Sequence, residues 1–398
     1  MRCLLLLMLG LLLWAGPPAR AVEATPACAY LARALGDGDA PRFLPSYPAT
    51  QERTLKDVAF LYDNAAAAIA LVGCGERQKA ARIGAAILLA LGHDRHWRDG
   101  RLRNAYLAGP VRAEPLKLPG WWGMKENRWV EDRYQAGSDT GNMAWAMLAL
   151  LVLDDGAQDS RYRDGAARIG GWLTRRRSEA GPGGFTGGTL GHEPAPVTQS
   201  WKSTEHNADL AAAFAGLARA TGDARWQGHG AWAARFVRAM WRADCRCHAA
   251  GTGADGVTPN PLLALDAQVW PLLALPHDPA RREQTLAAVR ARLSASDGFS
   301  YSAAARGFWT EGTAQVALLL RLSGREAEAA PLLRAVARQR APDGGYYAAA
   351  TTLATGFDAD ADPAQPRRYF RTPHLAAAAW AALAEQRFNP FTRRRALP

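Results

Sequence analysis

The chain has few sulfur-bearing side chains and fewer acids than bases. In 398 residues it carries five cysteines and six methionines, and its 37 acids face 48 lysines and arginines, for a formal charge of +11. No second C-x-x-C or H-x-x-H partner stands near Cys245-Arg246-Cys247, so a zinc site is not expected and no metal is assigned. Charges interrupt every apolar run beyond the N-terminus, and none reaches the roughly 20 residues of a membrane span. Glycine-rich turns occur at 183–188, 297–299 and 343–346, each beside an aromatic, but no strand precedes them as a phosphate-cradling loop requires. No cofactor is expected. The arginines are scattered except for Arg175-Arg176-Arg177 and Arg393-Arg394-Arg395, which read as solvated helix ends or a tail. The basic balance points to an acidic glycan or an anionic cell surface rather than to nucleic acid.

What is present begins with an N-terminal leader. Arg2 is followed by an apolar run over 3–14, a break at Gly16-Pro17-Pro18 and the A-x-A site Ala19-Arg20-Ala21. That order predicts a cleavable signal over 1–21 and a periplasmic or secreted location for the mature chain. Export permits disulfides, and Cys28, Cys74, Cys245 and Cys247 remain after cleavage. Cys28 with Cys74 is the preferred pair, because it ties the N-terminal helix to the first hairpin. Cys245 and Cys247 read as too close for an easy bridge.

From 62 onward, alanine-rich segments of helical period recur in pairs separated by Gly, Pro and Asp: 62–72 with 76–91, 139–153 with 160–175, 205–220 with 224–241, 265–275 with 279–293, and 311–322 with 325–340. A further segment at 374–386 has no helix after it, and 25–35 at the other end completes the sixth pair. First members are apolar nearly all round, as in Ala65-Ala66-Ala67-Ala68, which marks buried helices. Second members carry Arg, Glu, Asp and Gln on one face. Six buried helices inside six amphipathic ones predict an all-α (α/α)6 toroid. The ring spans 62–386 within a single domain at 22–398, and a monomer is expected. An open solenoid fits less well, because the linkers vary too much in length.

The polar residues of the inner helices gather at their N-terminal ends: Tyr62, Asp63 and Asn64; Asp139 and Asn142; Glu205, His206, Asn207 and Asp209; Asp266 and Gln268; Glu311 and Gln315; His374. In a toroid these ends meet at one mouth. A single acidic start is explained by capping alone, but six polar starts are harder to explain that way. The loop between the first two pairs adds Trp97, Tyr106, Trp121, Trp122, Trp129 and Tyr134, whose faces suit the C–H faces of sugar rings.

These features together resemble the six-hairpin glycosidase-like superfamily, over essentially the whole mature chain. The likeness rests on Tyr62-Asp63-Asn64-Ala65, Gly141-Asn142-Met143-Ala144-Trp145-Ala146, Ser203-Thr204-Glu205-His206-Asn207-Ala208-Asp209, Leu265-Asp266-Ala267-Gln268-Val269-Trp270, Trp309-Thr310-Glu311-Gly312-Thr313-Ala314-Gln315 and Asn389-Pro390-Phe391. The resemblance implies glycoside hydrolysis most often, and also embraces sugar epimerases and polysaccharide lyases. Asp154-Asp155 resembles the paired aspartates of one α-mannanase family, but it follows an inner helix at the end opposite the mouth and reads as a solvated turn. Hydrolysis needs two carboxyl groups flanking the bond. Glu205, among Trp201, His206 and Asn207, is the first candidate for general acid. Asp266 and Glu311 compete for the base role, with Asp139 third. Asn142, Asn207, Gln268 and Gln315 read as hydroxyl-binding amides, and Tyr62, Asp63, Trp121, Trp122, Trp129 and Trp309 as further substrate contacts. His206 and His374 join them, and would instead serve proton abstraction in a lyase or epimerase. A glycan-binding protein without catalysis is the remaining alternative.

Overall fold

A computed structural model describes residues 24–155, 157, 160–304, 306–355 and 367–398. The leader at 1–21 lies outside the described residues. Twelve long helices and one short one follow in chain order: α1 Pro26–Leu35, α2 Leu61–Gly73, α3 Arg77–Gly92, α4 Arg133–Ala136, α5 Thr140–Asp154, α6 Arg161–Thr174, α7 Thr204–Thr221, α8 Ala224–Ala239, α9 Asp266–Ala274, α10 Pro279–Leu293, α11 Thr310–Leu322, α12 Glu326–Ala337 and α13 Leu375–Gln386. Each long helix coincides, within a few residues, with a segment expected from the periodicity.

The inner helices α2, α5, α7, α9, α11 and α13 each pack on the next, and α13 returns to α2, which closes the ring. Their partners α3, α6, α8, α10 and α12 pack outside, and α1 packs on α13 as the sixth outer helix. The residue chemistry explains the layering. Ala65 to Ala68 and Ala376 to Ala379 are fully buried, and alanine combines high helix propensity with a side chain small enough for close approach. Larger side chains fill the axis instead. Trp145, Trp270 and Trp380 stand 5.3–6.0 Å apart, ring to ring, with Phe391 from the C-terminal tail 5.3 Å from Trp145. The toroid is therefore plugged below its mouth.

Each connection from an outer helix to the next inner one lies at the mouth, and these connections hold short β-ladders that periodicity did not reveal. Val58–Phe60 pairs with Ala105–Leu107, Trp121–Gly123 with Arg128–Val130, and Ser138–Asp139 joins Gly188–Leu190 and Val197–Gln199.

Cys28 and Cys74 form the expected disulfide. Cys245 and Cys247 also form one, against the sequence expectation. The hairpin Trp241–Arg242 with Cys247–His248 turns through Arg246 at φ 54°, which brings the two Cα atoms to 5.2 Å, inside the range a disulfide bridges. Among the described residues, no helix is long and apolar enough to cross a membrane, and no group of His, Cys, Asp and Glu is placed to hold a metal ion.

Candidate active site

The acids at the inner-helix starts do not act as caps. Asp139 precedes α5 without a capping bond, and α9, α11 and α13 begin behind Leu265, Trp309 and His374, which also make none. On α7, Ser203 takes the capping role by accepting from the His206 backbone N–H, which leaves Glu205 free. Helix geometry therefore places carboxyl groups at the mouth without using them as caps.

The amides divide into two groups. Asn207 accepts from the Phe185 N–H at 2.8 Å and donates to Phe185 O at 3.1 Å and Ser203 O at 2.8 Å. Gln268 clamps His248 in the same way, at 2.8 and 2.9 Å, and Asn64 clamps Leu44 at 2.8 and 3.0 Å. These three amides hold incoming connections by their backbone, so the hydrogen bonds expected from Asn207 and Gln268 to sugar hydroxyls are taken up within the fold. Asn142 donates to Asn104 at 2.8 Å and to the Tyr134 hydroxyl. Gln315 behaves differently: it is fully buried and clamps no backbone, and it lies beside the Asp266 carboxyl group.

Glu311 on α11 is 2% exposed. Its Oε1 accepts from the Tyr62 hydroxyl, which in turn accepts from Trp380 Nε1 at 2.7 Å. Its Oε2 pairs with His374 Nδ1 at 4.0 Å, and neither atom has a hydrogen bond among the described residues. The other imidazole nitrogen of His374 lies 3.2 Å from Asp63 Oδ2, and Tyr47 stacks on the ring at 4.4 Å. Burial pushes Glu311 up to about 7, against the pull of His374 and the Tyr62 bond, and the nearby charges of Asp63 and Glu205 add to the rise. His374 is raised, because Asp63 and Glu311 outweigh its desolvation.

Glu205 on α7 keeps 22% of its side chain exposed and lies 3.8 Å from His206 Nε2. Desolvation and the charge of Asp139 push it up to about 7, against Arg367. Burial and the same arginine hold His206 neutral, down at about 3. Thr140 donates to Thr186 O at 2.8 Å, so the 3.2 Å contact of its hydroxyl with His206 Nδ1 assigns the imidazole proton to Nδ1 and leaves Nε2 bare toward Glu205. This approach requires Gly141, where a Cβ would sit 2.4 Å from His206 Cδ2. Asp266 is buried beside Gln315, and desolvation with the charges of Glu205 and Glu311 raises it well above the usual carboxylate range.

The predicted aromatics are dispersed. Trp309 is fully buried against Tyr301 and Tyr369, at 4.8 and 5.3 Å, and forms wall rather than stacking surface. Trp121 lies beside Arg53, while Trp122 and Trp129 face each other across their hairpin, 52% and 48% exposed. Sequence reasoning missed Tyr47, Tyr301, Tyr369 and Arg367, which surround the acids and come from connections without periodicity or motif. Asp209, one turn beyond Glu205 on α7, is fully buried beside the Trp145 indole, and burial raises it well above the usual carboxylate range.

No protein-family model matches the chain, and no curated protein matches it in sequence. Solved structures do resemble it. A glycosidase variant in complex with glucose superimposes with a TM-score of 0.62 at 16% identity, over 91% of this chain and 95% of that one. A sugar epimerase from a ruminal bacterium gives 0.59 at 10% identity, over 90% and 97%. Cellobiose 2-epimerase from Bacillus thermoamylovorans gives 0.56 at 11%, over 90% and 95%. Ring closure and this likeness agree on the architecture: the chain has an (α/α)6 toroid fold, which it shares with these glycosidase and epimerase structures.

Proposed function

We propose that the chain is an exported carbohydrate-active enzyme, a glycoside hydrolase that cleaves a poly- or oligosaccharide with Glu205 as general acid and Glu311 as base. The observation that carries this reading is the pair of glutamates on separate inner helices at one mouth, both held near neutrality. A carboxyl group that is still protonated near pH 7 can protonate a glycosidic oxygen. Glu205 has the exposure to reach that oxygen, and its neutral His206 neighbour does not compete as a cation. Glu311 is pinned by Tyr62, its Oε2 carries no hydrogen bond, and the raised His374 beside it favours its carboxylate form. It is suited to draw a proton from water or to attack carbon. Asp266, raised by burial and by its neighbours Glu205 and Glu311, is suited to orient a hydroxyl.

Release of reducing ends from a polysaccharide panel tests this. Glu205→Gln and Glu311→Gln should each lose about a hundredfold or more in kcat, the typical loss of a general acid or base, with little change in melting temperature. Full activity in either variant removes that residue from the mechanism.

A sugar epimerase is the second reading, supported by His374. One of its nitrogens is fixed by Asp63, its ring is held by Tyr47 and its other nitrogen carries no hydrogen bond, an arrangement suited to moving a proton beside a carbonyl. An isomerised sugar with no new reducing end would favour it.

A further inference from the structure

We infer that the Cys245–Cys247 disulfide is a thiol-exchange site, opened by a small anionic thiol that enters the cavity beside it and attacks Cys245. The sequence singles out Cys245-Arg246-Cys247, and the carbohydrate reading leaves it unused. The disulfide lines an open cavity of about 700 Å³ together with Arg242, Asp244, Arg292 and the segment 260–263. None of the acids at the inner-helix starts borders this space. The two sulfur-bearing residues are unlike. Cys245 is half-buried, whereas Cys247 is 5% exposed. Arg292, in the last turn of α10, brings Nη1 to 3.9 Å from Cys247 Sγ. Arg242 is matched to Asp244 at 2.7 Å, whereas Arg292 has no ion pair among the described residues.

These differences give the exchange a direction. The incoming thiolate attacks Cys245 Sγ, on the more accessible residue, and forms a new S–S bond to it. The Cys245–Cys247 bond breaks, and its electron pair leaves on Cys247 Sγ as a thiolate beside the Arg292 guanidinium. A cation at that distance stabilises the thiolate and makes Cys247 the better leaving group. A second thiol then attacks the incoming sulfur and frees Cys245. Two thiols leave as one disulfide, and the protein gains their two electrons, with the two protons passing through solvent to the cysteines. The unmatched charge of Arg292 attracts a thiol that bears carboxylates and disfavours a cationic one. A bridge between residues two apart constrains the unfolded chain little, so opening it costs little stability. The hairpin also keeps its place when the sulfurs part, because Gln268 holds the His248 backbone at 2.8 and 2.9 Å and Trp241 packs on the His248 ring at 5.0 Å.

Treatment of the intact protein with glutathione or with cysteamine at low ionic strength, quenched with excess N-ethylmaleimide and mapped by peptide mass, tests this. Glutathione should appear on Cys245 and the maleimide on Cys247, while the buried Cys28–Cys74 bridge stays closed. The rate with glutathione divided by the rate with cysteamine should fall about tenfold in Arg292→Leu, the low end of electrostatic steering into a charged cleft. Arg292→Lys should restore it. The ratio cancels the intrinsic reactivities of the two thiols, and Arg292 is exposed on α10, so both variants keep the fold. Glutathione found on Cys247 instead, or a ratio that Arg292→Leu leaves unmoved, overturns the inference. So does a Cys28–Cys74 bridge that opens as readily, or a Cys245–Cys247 bridge that resists both thiols.

Discussion

At the scale of single residues, the chemistry turns on how burial and a few partners set the protons of Glu205 and Glu311. Both glutamates near 7 predict a narrow bell-shaped profile of kcat/KM centred close to neutrality, whose limbs belong to the interacting pair. Tyr62 is the lever on this profile. Its hydroxyl stabilises ionised Glu311, so Tyr62→Phe should raise the pKa of the base and move the acidic limb to higher pH. The expected loss at pH 6 is about tenfold, which corresponds to one displaced pKa unit. Rates measured from pH 5 to 8 check it, and an unmoved acidic limb would separate Tyr62 from the base.

At the scale of elements, buried clamps and one long-range disulfide position the helix starts. Asn64, Asn207 and Gln268 each fasten the connection that lies over an inner helix, so the loops of the mouth follow the helices. The Cys28–Cys74 bridge links α1 to the residue after α2 across 46 positions, whereas Cys245–Cys247 spans two. Chain-entropy reasoning assigns about 4 kcal/mol to the first and about 1.5 kcal/mol to the second. Replacing Cys28 and Cys74 together with serine should therefore lower the urea midpoint more than replacing Cys245 and Cys247. Equal losses would show that the short bridge supports more than its own hairpin.

At the scale of the whole molecule, the buried acids tie stability to pH. Glu311, raised from 4.5 to about 7, binds its proton more tightly in the folded chain than in the unfolded one. Its contribution is present at low pH and is lost as pH rises to about 7, on the order of 3 kcal/mol. Asp209 and Asp266 are raised by the same burial, and raised His374 acts in the same direction. Neutral His206 and His248, down at about 3 and about 4, oppose this below their unfolded value near 6.5. Melting temperature should therefore fall as pH rises through about 7, above the range in which the histidines oppose it. Asp209→Asn keeps a neutral group of similar shape and should flatten that fall. An unchanged slope in the variant would show that Asp209 does not hold its proton.

The long helices and their inner and outer layers were legible in the sequence, because helical period and residue size are local properties that chain order preserves. Glu205, Asp266 and Glu311 were legible as acids at helix starts for the same reason. What tertiary structure alone decided was the use of each polar group. Gln268 and Gln315 read alike as amides near the starts of inner helices, yet one meets the backbone of His248 and the other lies beside the Asp266 carboxyl group. Arg246 gave no local sign that its left-handed turn would bring Cys245 to Cys247. Tyr47, Tyr301, Tyr369 and Arg367 reach the acids from irregular connections, where no period exists to be read. Their proximity is set by ring closure, which brings together residues hundreds of positions apart, and the protons on Glu205 and Glu311 depend on that proximity.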